Sequence, residues 1–239
     1  MVFVICEIGV NWAGLKDVAF DMIAQAKKTG CDAVKMQMFS KAEIKNSIFY
    51  PQLESMILKP DSPLDPKIFK EYAETVVGIK WFATPFNLRA LDYLNVIGVE
   101  YIKIREADSG RADLVDAALA TSKKIFISSY ETVTDPKLLF NPNVKILFCI
   151  PHYPPKIDEL HRLKENLEGY FQGYSNHYPE VWPSILACAY GAEVIEIHAK
   201  HFAVEKALDE PVSLSFNQIA ELVKAIRHIE TLGLAHAER

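Results

Sequence analysis

The stretch "VIEIHAKHF", residues 194–202, carries the reading that decides the fold. Val194, Ile195 and Ile197 are apolar and β-branched, as in a strand covered on both faces. Glu196 and His198 stand two apart, so an extended chain turns both to the same side. Apolar runs of the same kind recur along the chain: "VFVICEIG" (2–9), "DAVKMQM" (32–38), "KWFATPF" (80–86) and "YIKIRE" (101–106). "KIFISS" (124–129), "VKILFCI" (144–150), "YFQGYSN" (170–176) and "EVIEIHA" (193–199) complete eight strand candidates.

Amphipathic stretches separate these runs. In "KDVAFDMIAQAKKTG", Val18, Met22, Ile23 and Ala26 form one apolar helix face and Gly30 ends it. The last helix, "FNQIAELVKAIRHIETLG", repeats the design with Ile219, Leu222, Val223, Ile226 and Ile229. Eight strand–helix units predict a closed parallel (β/α)8 TIM barrel. An open sheet would carry a glycine-rich phosphate loop after its first strand, and "GVNWAG" lacks that spacing. The fifth unit, "YETVTDPKLLFNPN", has room only for a short helix. The 39–66 connection is long and apolar and carries four prolines, which predicts a lid or substrate wall.

A chain of 239 residues, half of them apolar, suits one barrel domain over 1–239. The net charge of −5 and the lack of any Lys/Arg block argue against a nucleic-acid partner. No apolar run reaches the roughly 18 residues of a membrane span. "MVFVICEIGV" has neither the basic flank nor the cleavage site of a signal peptide. Cys6, Cys31, Cys149 and Cys188 are far apart, which fits reduced thiols in a cytoplasmic protein.

In a parallel barrel, chemistry gathers where the strands end. Glu7 ends the first strand, Lys35 and Gln37 share a face of the second, and Thr84 ends the third. Lys103, Arg105 and Glu106 close the fourth, and Ser128 and Ser129 the fifth. Ser175 and His177 share a face of the seventh, as Glu196 and His198 do of the eighth. Taken singly, each has a plain structural role: a hydrogen-bonded histidine, a turn serine, a lysine reaching the rim. Together they predict a polar mouth over an apolar barrel, the usual form of an active site. His177 and His198, on neighbouring strands, would face one divalent metal with Glu196 beside them. Lys35, Lys103 and Arg105, with the Thr84 and Ser175 hydroxyls, would suit phosphate or carboxylate.

These residues sit in motifs that resemble the sialic acid synthase (N-acetylneuraminate synthase) family. "EIGVNWAG", "DAVKMQMF", "FATPF", "FCIPHYP", "GYSNH", "GAEVIEIHAKHF" and "LDEPVSLS" follow the family order from residue 7 to about residue 215. The resemblance implies a metal-dependent barrel, using Mn2+ or Mg2+, that condenses phosphoenolpyruvate with an N-acylated amino sugar. It implies that His177 and His198 hold the metal, and that Lys35, Thr84, Lys103, Ser128 and Ser175 hold phosphoenolpyruvate. Gln37, Asp108, Tyr153 and Asp209 would face the sugar, with Glu7, Glu196 and Asp209 as catalytic or orienting candidates. Family members usually continue into an antifreeze-like domain that reaches the partner subunit's sugar site, so the implied partner is a homodimer or a separate antifreeze-like domain protein.

Several positions depart from the family pattern. Trp12-Ala13 replaces His-Asn, "SSYE" replaces S-S-G-M, Pro151 replaces Asn or Ser, and Glu106 replaces a serine that contacts phosphate. Strand alternation would put Arg105 on the Lys103 face, doing the work of the lost serine, with Glu106 turned away. Two other readings stay open beside the synthase: an aldolase- or lyase-type activity on another keto acid, and a catalytically silent barrel that binds sugar or metal.

Overall fold

Strand alternation closes a barrel in the computed structural model, which describes residues 1–233. The strands are β1 (Phe3–Gly9), β2 (Ala33–Met38), β3 (Lys80–Pro85), β4 (Tyr101–Ile104), β5 (Lys124–Ser129), β6 (Val144–Cys149), β7 (Gly173–Asn176) and β8 (Val194–Lys200). All pair in parallel in the order β3-β2-β1-β8-β7-β6-β5-β4, and β3 and β4 lie against each other where the ring meets. The two-residue β9 (Leu214–Ser215) adds to β8.

The main covering helices are α1 (Lys16–Lys28), then α2 (Lys41–Ile44) and α3 (Tyr50–Glu54) in the long connection, and α4 (Pro66–Glu71). They continue with α5 (Leu88–Val96), α6 (Ala112–Ala120), α7 (Pro136–Leu139), α8 (Arg162–Gly169), α9 (Trp182–Ala189) and α10 (Phe216–Thr231). α1 buries Ala19, Met22, Ile23 and Ala26, and α10 buries Ile219, Leu222, Val223 and Ile226, as their spacing predicts. Val18 and Ile229 are only half-buried against that core. α7 is a single turn, as the fifth unit's length requires. Among the described residues no helix is long and apolar enough to cross a membrane.

Inside the barrel the period-2 pattern stacks layers. Phe3, Phe82, Tyr101 and Phe126 meet across the axis with ring centroids 5.1–6.0 Å apart, sealing the end where the strands begin. Two residues further along the same strands come Ile5, Thr84, Lys103 and Ser128, so the interior turns polar toward the strand ends. Gly173 is a packing requirement. A Cβ there would stand 2.6 Å from the Val194 carbonyl oxygen, so only glycine lets β7 and β8 close up.

Two strand limits differ from the sequence reading. β4 stops at Ile104 because Arg105 leads into a tight turn, Glu106–Asp108. β7 starts only at Gly173, while Phe171 before it is buried in the core. The 39–66 connection does wall the mouth: Phe39, Ile44, Phe49 and Leu53 line the cavity described below, and Met56 and Leu58 are buried. The single-domain reading runs to residue 239, and residues 234–239 lie outside the described residues.

Candidate active site

A cavity of ≈ 440 Å³ opens at the ends of the strands. Its floor is a buried network of two lysines and two glutamates. Lys35 Nζ lies 2.8 Å from Glu7 Oε2, 2.8 Å from Thr84 Oγ1 and 3.7 Å from Glu196 Oε2. Lys103 Nζ lies 3.3 Å from Glu196 Oε1, which also accepts a 2.8 Å hydrogen bond from Ser175 Oγ. Register produces the cluster, because Glu7 pairs with both Lys35 and His198, and Ser175 with Glu196.

Burial would raise Glu196, yet Lys103 and Lys35 overcome it and hold the carboxyl at about 2. Glu7 goes the other way, pushed above its usual range by burial despite Lys35. Burial also opposes the Lys35 charge, but Glu196 and Glu7 raise its pKa; Lys103, with fewer partners, is lowered by burial. Ser128 Oγ lines the same cavity and has no hydrogen-bond partner among the described residues. A buried unsatisfied hydroxyl beside two ammonium groups is suited to a ligand oxygen.

The two histidines converge beside this floor, with ring centroids 5.3 Å apart. His177 Nδ1 sits 3.1 Å from the Ile150 carbonyl oxygen, which can only accept, so Nδ1 carries the proton and Nε2 keeps its lone pair. Burial, then the His198 charge, pushes His177 down to about 3, so it is neutral at ordinary pH. His198 Nδ1 faces Asp209 Oδ2 at 3.5 Å. That separation is too long for a full hydrogen bond, and among the described residues neither atom has a hydrogen-bond partner. Burial opposes protonation of His198, but the Asp209 carboxylate outweighs it and raises the pKa. Its Nε2 meets the Tyr153 hydroxyl at 2.9 Å. Two imidazoles with ring centroids 5.3 Å apart, one of them backed by a carboxylate, suit a divalent metal as donors. Among the described residues no three His, Cys, Asp or Glu side chains gather as a metal cluster, so such an ion would draw further ligands from water or substrate.

Gly9 keeps the first strand out of the way. It adopts φ +44° at a bulge after Glu7, and a Cβ there would come 2.8 Å from Glu7 Oε1 and 3.1 Å from Asp209 Oδ2. Gln37 Nε2 donates to Glu7 Oε1 at 3.3 Å, so Gln37 also reaches the site.

Two sequence expectations need correction. Strand parity cannot separate Arg105 from Glu106, because β4 has already ended; both line the cavity. Arg105 is also engaged elsewhere: its Nε lies 2.5 Å from Asp108 Oδ2 and its guanidinium stacks 3.7 Å over Phe86. Glu106 has no ion-pair partner among the described residues. Asp108 does not reach the cavity, since its buried carboxylate is turned to Arg105 and to Arg111, 3.5 Å away. Pro151 stands at the rim as a lining residue.

Two participants escaped the sequence reading. Cys149, expected only as a reduced thiol, lines the cavity 3.8 Å from the His177 ring nitrogens; its even spacing from Leu147 on β6 was the available signal. Asn11 accepts from the Asp209 backbone N–H at 3.0 Å and donates to Ala199 and Ser213, fixing the loop that carries Asp209.

A closed parallel (β/α)8 barrel with a lysine-floored polar cavity at its strand ends is a TIM barrel. The chain belongs to the NeuB family, whose model matches residues 22–236. It is 30% identical over 250 residues to an uncharacterized protein of Methanocaldococcus jannaschii, covering 96% of this chain and 71% of that one. It is 28% identical over 255 residues to N-acetylneuraminate-9-phosphate synthase of Homo sapiens, covering 95% of this chain and 70% of that enzyme. Among solved structures, the N-acetylneuraminic acid (sialic acid) synthetase of Leptospira borgpetersenii, in complex with citrate, superposes with a TM-score of 0.85 at 26% identity. That match covers 99% of this chain and 86% of that one.

Proposed function

We propose that the protein condenses phosphoenolpyruvate with an N-acylated amino sugar, the reaction that its resemblance to the sialic acid synthase family implies. The observation that carries the reading is the convergence of two neutral-capable imidazoles, 5.3 Å apart, over a floor of two buried lysines. Lys35 and Lys103, with the Thr84, Ser128 and Ser175 hydroxyls, would hold the carboxylate and phosphate of phosphoenolpyruvate. A ligand anion would compete with Glu7 and Glu196 for the lysines, so binding loosens a network that is closed without it. Gln37, Tyr153 and Asp209 would meet the sugar, and Glu7, raised by burial, is placed to return a proton to the developing alkoxide. Mn2+ or Mg2+ held by His177 and His198 would supply Lewis-acid polarisation of the sugar aldehyde. The enol carbon then attacks the aldehyde, water adds to the resulting cation, and phosphate departs with C–O cleavage.

Glu106 favours a second reading, in which the barrel takes a different acid. Its unpaired carboxylate lines the cavity, where it would repel a phosphate. Crystals soaked with Mn2+ and phosphoenolpyruvate separate the two. The synthase reading expects manganese beside His177 and His198 and phosphoenolpyruvate over Lys35 and Lys103. Manganese without phosphoenolpyruvate would transfer the weight to the altered-substrate reading.

A further inference from the structure

The ring of Tyr153 packs against both imidazoles. Its ring centroid is 4.3 Å from that of His177 and 5.7 Å from that of His198, spanning the gap between them. Each histidine has one nitrogen already directed elsewhere: His177 Nδ1 at the Ile150 carbonyl and His198 Nδ1 at Asp209. That leaves the two Nε2 atoms for a shared ligand: the Tyr153 hydroxyl holds that of His198 at 2.9 Å, and Cys149 Sγ lies 3.8 Å from that of His177. The loop carrying it is lightly packed. Pro151, His152, Tyr153 and Pro154 are all exposed, so this side chain can swing without opening the core.

We propose that Tyr153 is a displaceable stopper on the imidazole pair: it occupies the His198 Nε2 lone pair in the free protein and must leave before a divalent cation can join both rings. The proposal rests on the metal site of the proposed function. Tyr153 is thereby a positioning residue that sets the affinity for the cation, separate from any contact it makes with sugar. Each binding event must first break one neutral hydrogen bond, and that bond is what the cation competes against.

The test is calorimetric titration of Mn2+ into the full chain and into its Tyr153→Phe variant, with free Mn2+ followed in parallel by electron paramagnetic resonance. The phenylalanine keeps the ring against His177 and removes only the hydroxyl. The variant is expected to bind Mn2+ tighter by about 2- to 10-fold, the worth of one neutral hydrogen bond. Should the phenylalanine variant prove unstable, Tyr153→Leu also removes the hydroxyl, and tighter Mn2+ binding is again expected. Equal affinities would mean that Tyr153 only packs, and weaker binding by the variant would make the phenol a ligand; either overturns the stopper. No Mn2+ binding by any of these proteins would remove the imidazole site itself, and the stopper with it.

Discussion

Glu196→Ala is expected to lower the unfolding free energy by about 3–5 kcal/mol, the usual cost of removing one partner from a buried charge cluster. Glu196 is the hub of the floor: it faces Lys103 at 3.3 Å and Lys35 at 3.7 Å and accepts from Ser175. Without it, Lys103 keeps no ion-pair partner among the described residues and must lose its proton or stay charged in a dry site. Urea denaturation at neutral pH measures the loss. Removing the exposed Glu205 in the same way should change stability by no more than about 0.5 kcal/mol.

The acid limb checks the cause. Glu196 is held at about 2 in the fold against an ordinary glutamate value of 4.5. A lowered carboxyl contributes stability that is fully present above 4.5 and is lost as pH falls toward about 2. Wild type should lose that contribution across this window, while the alanine variant, already lacking it, shows a flatter acid limb. A loss below about 1 kcal/mol at neutral pH would mean that the two lysines are satisfied without Glu196.

Asp209→Asn is expected to weaken Mn2+ binding by roughly 10- to 100-fold, the range for losing an outer partner of a metal-bound histidine. The carboxylate faces His198 Nδ1 at 3.5 Å and raises the pKa of the ring. The backbone that carries Asp209 is held separately by Asn11, so the loop survives the change. The pH profile gives a second readout. Metal needs the neutral imidazole, so a raised His198 pKa makes wild type release Mn2+ early as pH falls. The asparagine variant should bind more weakly at high pH, yet its acid limb should move to lower pH. Calorimetric titrations between mildly acidic and mildly basic pH test both effects, and an unchanged acid limb would remove Asp209 from control of His198.

The barrel was legible in the sequence because its strands are short β-branched runs spaced by amphipathic helices, and every second residue obeys one parity. The same parity brought Glu7, Lys35, Thr84, Lys103, Ser128, Ser175 and Glu196 to one end. It failed where the chain leaves strand geometry. "READ" contains no glycine or proline to mark a turn, and the turn at Glu106–Asp108 is secured by the Arg105–Asp108 pair and the Phe86 stack, both tertiary contacts. The apolar content of 39–66 foretold that it would cover something, although the one-turn helices α2 and α3 are too short to leave a period. Tyr153 could be placed near the sugar by resemblance, but its perch on His198 Nε2 depends on loop conformation that no spacing encodes.

Turnover with labelled phosphoenolpyruvate puts the synthase reading to trial. The chain is incubated with Mn2+, N-acetylmannosamine and phosphoenolpyruvate carrying heavy oxygen in its C–O–P bridge. Condensation with C–O cleavage predicts sugar-dependent phosphate release, with the label in the phosphate and a nine-carbon 2-oxo acid as product. Phosphate release without need of the sugar, or a label retained in the organic product, would contradict it.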